Sequence, residues 1–340
     1  MKLLTVFTTG VNSVFPIVLL ILFGFLLRRS GFLTDNFVKV GNKLVFRYLL
    51  PAKLFLNAYK IESFSDIPWR LVFYCMLMLL VIFLLGCVTA PAATEDPKRK
   101  GVLLQSTFRS NNAIIGISLA GILGGDPAVA VSAILTALCI PVMNTLAVLA
   151  LSLYVHGDGE GVKLKNVLLN VLKNPLIIGI ALGLACLPVR GLEQRLFGRV
   201  VFSLSGSLGF FYTAVSQAAS IATPFSLIVL GGQFSFEAAG NMRWEIVVGT
   251  VWRVVIAPVL ALGGAYLLSR YTGLLTCTAV EYPALIALFA TPTAVSSAVM
   301  AGQMGNDEQL ATQIVVWSSI VSIATMFATI CILMWAGCLA

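Results

Sequence analysis

Charge is scarce in this chain, and acid is absent where it would carry most weight. Of 340 residues only 11% are charged, and the 14 Asp and Glu all fall in loops or within a few residues of the end of an apolar stretch. A carboxylate held mid-bilayer is the usual proton carrier of a cation/proton antiporter, so its absence weighs against that chemistry. Histidine is scarcer still. The single one, His156, sits in the loop His156-Gly157-Asp158-Gly159-Glu160-Gly161, which excludes a Ser-His triad and a histidine-ligated metal. There is no Walker A lysine motif, so the chain has no cradle for hydrolysing ATP. The 7 cysteines are scattered through apolar segments without a CxxC pair, giving neither a metal site nor a disulfide framework. No metal, no cofactor and no enzymatic activity are expected. The net charge of +8 is spread over segments flanking apolar runs, not massed on one face, which sets nucleic acid aside.

Apolar residues fill the space that charge vacates. They make up 59% of the chain, and the mean hydropathy is +0.98, far more apolar surface than a soluble domain could cover. The expected partner is a lipid bilayer. A span needs roughly 20 largely apolar residues, and the runs between charged or Gly/Pro-rich punctuation give ten candidates: 12–28, 37–58, 69–90, 102–124, 128–154, 166–187, 208–236, 245–268, 282–303 and 311–337.

One pattern occurs twice. Ala120-Gly121-Ile122-Leu123-Gly124-Gly125-Asp126 returns as Ala301-Gly302-Gln303-Met304-Gly305-Asn306-Asp307, and Pro16-x7-Gly24 returns as Pro175-x7-Gly183, while Pro51 matches Pro224. The chain therefore reads as two copies of one unit, residues 1–155 and 166–340, joined by a cytoplasmic loop at 156–165. With five spans in each unit, the second copy enters the membrane from the opposite side and the repeats are inverted. Extra residues in the second copy lie between Pro188 and Phe210. There Glu193, Arg195 and Arg199 alternate with Leu192, Leu196, Phe197 and Val200, as in a separate amphipathic helix lying on the membrane surface.

Upstream of each copy of the glycine pattern an apolar stretch is interrupted, by Arg109-Ser110-Asn111-Asn112 in span four and by Thr291-Pro292-Thr293 in span nine. Paired interruptions in corresponding spans point to the binding site of a secondary transporter. Asn112 suits an N-cap, and Thr291-Pro292 suits a cap followed by proline at the first helical position. Two half-helix N-termini would then face the membrane middle, each with unpaired N–H donors and about half a positive charge, and together they would favour an anion. Arg47, Lys53, Arg109 and Arg253 also fall inside apolar segments. Arg109, beside a break, reads as functional, whereas Lys53 and Arg253 read better as snorkelling or structurally partnered side chains.

These residues resemble the auxin efflux carrier family. Asn112-Ala113-Ile114-Ile115-Gly116-Ile117-Ser118-Leu119 is similar to that family's Asn-x3-Gly-[Leu/Ile]-Pro-Leu motif, with Ser118 where the motif has proline. Lys173-Asn174-Pro175, Leu230-Gly231-Gly232 and Thr291-Pro292-Thr293-Ala294 look like its bacterial members, which are described as malate or malonate permeases. The resemblance implies an all-α polytopic membrane protein of about ten transmembrane helices in two inverted five-helix repeats. Helices four and nine would be broken and would cross, as in bile-acid transporters and antiporters. It further implies an elevator-type transport domain of spans 3–5 and 8–10 moving against a scaffold of spans 1, 2, 6 and 7, which can also form a homodimer. The expected substrate is a small organic anion, touched by Arg109, Ser110, Asn111, Asn112, Thr291, Pro292, Thr293 and Ser296, with Pro51, Gly116, Ser118, Pro175, Pro224 and Gly231 as hinge or structural positions.

Basic residues set the expected orientation. Arg28, Arg29, Lys39, Lys98-Arg99-Lys100, Lys163, Lys165 and Arg243 outweigh Lys2, Lys60, Arg70, Arg190, Arg195, Arg199 and Arg270 on the other side, so both termini are expected outside a bacterial inner membrane. Coupling to a proton or sodium ion, a cation-coupled symporter or antiporter of the same fold, and a sensor that binds without transporting all stay open.

Overall fold

The protein is described from a computed structural model, covering residues 2–59, 68–154, 173–198 and 201–339. Among them every regular element is helical. The helices are α1 (Lys2–Arg29), α2 (Asp35–Leu44), α3 (Leu50–Tyr59), α4 (Trp69–Ala93), α5 (Pro97–Phe108), α6 (Ile117–Leu153), α7 (Pro175–Phe197), α8 (Gly209–Gln233), α9 (Arg243–Val251), α10 (Ala257–Leu267), α11 (Glu281–Phe289), α12 (Ser296–Gln303) and α13 (Glu308–Trp335). Wider π-type turns at Val45–Leu49, Asn112–Gly116 and Trp252–Ile256 join α2 to α3, lead into α6, and join α9 to α10. Two short helical turns, Leu204–Ser207 and Phe236–Asn241, flank α8.

Among the described residues six helical segments are long and apolar enough to cross a membrane: Trp69–Ala93, Leu119–Leu153, Pro175–Phe197, Gly209–Gln233, Arg243–Thr272 and Glu308–Trp335. Large apolar side chains such as Phe73, Val88, Leu182, Val259 and Ile332 are exposed on their outer faces, the pattern of helices whose solvent is lipid. The candidate loop at 156–165 and His156 lie outside the described residues.

Glycine sets the closest helix pairs. A Cβ on Gly24 or Gly231 would collide with the main chain of the partner helix, so α1 and α8 approach backbone to backbone, and Gly179 and Gly183 do the same for α7 against Pro51 and Phe55 of α3. Where lipid removes the hydrophobic drive between helices, such small-residue contacts let van der Waals packing hold them. Pro175 opens α7 at its first position, with the Asn174 side chain accepting from Leu176 N–H at 2.9 Å. Pro224 lies inside α8.

The repeated glycine pattern marks two helix breaks. Gly125 (φ 66°) breaks α6 into two lengths, and Gly305 (φ 77°) separates α12 from α13, whose Asp307 cap accepts from Leu310 N–H. Arg99 fastens one end of the bundle, reaching Glu245 at 2.7 Å, Asp307 at 3.1 Å and Asp96 at 3.5 Å. One expectation fails here. Among the described residues the amphipathic stretch after Pro188 is not a helix of its own: α7 runs through it to Phe197 and ends at Gly198 in the left-handed conformation, while Arg199 and Val200 lie outside the described residues. Gly191 stays helical within it, and the helix ends only where Gly198 takes the left-handed conformation.

Candidate functional site

The two interruptions meet. After α5 ends at Phe108, Arg109 and Ser110 are extended, and Ser110 forms an isolated antiparallel bridge with Thr293, far along the chain. The Asn111 N–H donates to the Pro292 carbonyl at 2.8 Å and the Ala294 N–H to the Arg109 carbonyl at 3.1 Å. Non-helical backbone is tolerated at membrane depth only where protein satisfies it. Here each break supplies what the other lacks.

The caps differ from those expected. Asn111, not Asn112, occupies the N-cap position, and no side chain caps the helix, because Asn112 Nδ2 turns to Thr136 Oγ1 at 3.1 Å. Thr291 caps nothing: its hydroxyl donates back to the Ala287 carbonyl at 3.1 Å, and α12 starts only at Ser296 after Val295. Pro292 is therefore not a first helical residue. The reason is the bridge itself, which pairs Thr293 with Ser110 and postpones the helix to Ser296.

Two buried arginines flank this crossing in different ways. Arg253, fully buried, donates from Nε to the Thr291 carbonyl at 2.9 Å, from one terminal nitrogen to the Thr107 carbonyl at 3.3 Å and from the other to the Phe289 carbonyl. It thereby caps the C-terminal ends of both α5 and α11, where the helix dipoles favour a cation. Arg109, 4% exposed, instead reaches side chains: Asn144 Oδ1 and Ser296 Oγ at 2.8 Å each, Gln105 Oε1 at 3.5 Å and the Met300 sulfur. No carboxylate pairs with either arginine among the described residues.

A cavity opens beside the crossing. Its wall comprises Arg109, Ser110, Asn111, Asn112 and Ala113 from the first break, Ala294, Val295 and Ser296 from the second, Ile140, Met143 and Asn144 of α6, Leu50, Lys53 and Leu54 of α3, Leu176 of α7, and Thr223 and Ser226 of α8. About 80 Å³ is free for the centres of water-sized molecules, room for several waters or one small organic molecule. Two cations line it and no acid does. Asn111 Nδ2 is buried there without an acceptor, and Lys53 Nζ has the Thr223 hydroxyl at 2.5 Å.

Of the residues expected at the site, Arg109, Ser110, Asn111, Asn112 and Ser296 line this cavity, whereas Thr291, Pro292 and Thr293 stand behind it as backbone partners. Gly116 lies where a Cβ would meet the Ala287 carbonyl, so it permits close packing of the π turn on α11; Ser118 belongs to the first turn of α6. Lys53, Asn144 and Thr223 were not expected at a site. For Lys53 the signal is present, a lysine two residues after Pro51 inside an apolar stretch, but snorkelling or a structural partner is the better reading from sequence.

A family model described as membrane transport protein matches residues 9–157 and 161–330. The chain belongs to that family, the auxin efflux carriers its motifs resemble. A search of curated proteins gives no match. Membership makes the chain a membrane transporter.

Proposed function

We propose that this membrane transport protein carries small organic anions, such as mono- or dicarboxylates, by alternating access at the crossing of the two broken helices. The observation that carries the reading is the cavity wall: Arg109, Lys53 and the starts of two helices converge on it without a single acid. Two cations, the unpaired Asn111 amide and positive helix ends all favour a carboxylate here.

The tight glycine-mediated pairs α1 with α8 and α3 with α7 support a scaffold of spans 1, 2, 6 and 7, and the Arg99 cluster supports a transport body of spans 3–5 and 8–10, as in an elevator. The duplicated sequence pattern supports inverted repeats of five helices, and the distribution of basic residues supports both termini outside a bacterial inner membrane. A homodimer would form through the scaffold. For a monovalent anion an inside-negative potential favours export by ~2.3 kcal/mol per 100 mV, so uptake requires a coupled cation.

The test is a thermal-shift screen of the purified protein against carboxylates and their neutral amides, followed by counterflow of the best ligand in proteoliposomes. Ligand at about 100 times its dissociation constant adds ~2.7 kcal/mol of stability. Stabilisation by amides as large as by acids would remove the anion reading, and binding without counterflow would make the protein a sensor.

A further inference from the structure

At the start of α13, away from the cavity, Glu308 turns its carboxylate inward. Its Oε1 accepts from Asn42 Nδ2 of α2 at 2.5 Å and from Gln233 Nε2, the last residue of α8, at 2.9 Å. Beside it Gln309 donates to the Gln233 carbonyl at 2.9 Å and Gln313 to the Ser235 carbonyl at 2.7 Å. Amide hydrogen bonds thus tie α13 to α2 and to the end of α8, and a Cβ on Gly302 would strike the Glu308 carboxyl, so α12 closes over it.

Among the described residues no cation pairs with this acid: no Lys or Arg nitrogen lies within 4.0 Å of it. The charged groups on the surrounding elements are engaged or turned outward: Arg28 pairs with Asp35, Arg29 lies over the Phe25 ring, and Arg99 holds Asp96, Glu245 and Asp307. Lys39 and Lys43 of α2, Lys98 of α5, Glu237 and Arg243 are exposed, Lys100 is half-buried, and α8 and α12 carry no charge. Hydrogen-bond acceptors are also in surplus, since Asn42 Oδ1 and Gln309 Oε1 are buried without a donor and Asn42 is 3% exposed. Glu308 itself is half-buried; a charge drawn partly out of water favours a partner, and a buried acceptor normally finds a donor.

We propose that Glu308 is a proton-binding site that docks α13 against α2 and α8. A proton on the carboxyl removes the unpaired charge and supplies the missing O–H donor, which the Asn42 amide can receive by turning its oxygen inward. Loss of the proton leaves a carboxylate that water solvates better than this pocket does, and the contact opens. The structure supplies the site; its role in transport rests on the elevator reading above, in which α13 moves and α2 and α8 do not. On that reading each docking step binds a proton, and the carrier is proton-coupled.

The experiment uses the full chain in liposomes with its native cysteines replaced and spin labels at the exposed positions 40 and 95, on α2 and on the loop before α5. Pulsed ESR distances are recorded from about pH 4 to about pH 9, around the ordinary carboxylate range, with no organic anion present. The wild type should shift towards one distance population as pH falls. Glu308→Gln should stay in that low-pH population throughout, because glutamine imitates the protonated acid. Asn42→Leu, a second variant should Glu308→Gln fail to fold, should move the midpoint up by about one pH unit, because it removes an amide that donates to the carboxylate and puts apolar surface in its place. A wild type insensitive to pH, a Glu308→Gln variant with the full pH response, or a response to sodium alone at fixed pH would overturn the proposal. The anion reading is decided separately by the ligand screen, so the two can fail independently.

Discussion

Both interruptions bury an arginine beside them, but Arg253 gives its hydrogen bonds to main-chain carbonyls and Arg109 gives its to side chains. A guanidinium on carbonyls of two helix ends cannot let go without unpairing both ends. One held by Asn144, Ser296 and Gln105 can exchange a partner for a ligand oxygen when those side chains rotate. The same contrast separates the breaks themselves: the first lines the cavity with Arg109, Asn111 and Asn112, while the second contributes carbonyls and a helix start. Arg253 is thus the rigid arm of the crossing, and Arg109 the arm whose partners are side chains that can exchange.

The largest effect should come from removing the rigid arm. Arg253→Leu leaves three buried carbonyls without a donor, each worth ~1–3 kcal/mol, so the protein should lose at least about 3 kcal/mol of stability in detergent. Arg253→Lys should recover only part of this, because an ammonium cannot span three acceptors as a planar fork does. Unchanged melting of the leucine variant would end the distinction between the two arginines. Next comes the available arm. Arg109→Gln should fold, and should weaken a carboxylate ligand at least about tenfold while changing its neutral amide analogue by less than about twofold; equal losses measured by calorimetry would make Arg109 another brace. The smallest effect belongs to Thr291→Val, which deletes only a bond back to the Ala287 carbonyl. Stability should change by no more than about 1 kcal/mol with affinity intact, and a large loss of affinity would put this hydroxyl in contact with the ligand.

Much of the site was legible because interruptions in apolar helices are local events. Arg109 to Asn112 and Thr291 to Thr293 stand out as residues that a lipid-facing helix cannot accommodate, and both segments are indeed broken. The cap assignments failed because a cap is chosen by the backbone around it. Once Ser110 and Thr293 bridge, Asn111 takes the cap position and Thr291 is left facing its own helix. Arg253 and Lys53 could not be told apart as sequence, each being a cation inside an apolar run; one proved to clamp helix ends and the other to reach a cavity.

By itself the sequence determined that the chain is helical, that it lives in lipid, and where two of its helices break, because composition and periodicity act residue by residue. Tertiary structure alone decided that Asn111 meets Pro292, that Arg253 serves two helix ends at once, and that Glu308 accepts from both Asn42 and Gln233. Each of those facts joins residues far apart along the chain. What a buried polar group can do depends on which donors and acceptors the fold brings within about 3 Å of it, and no stretch of sequence records that distance.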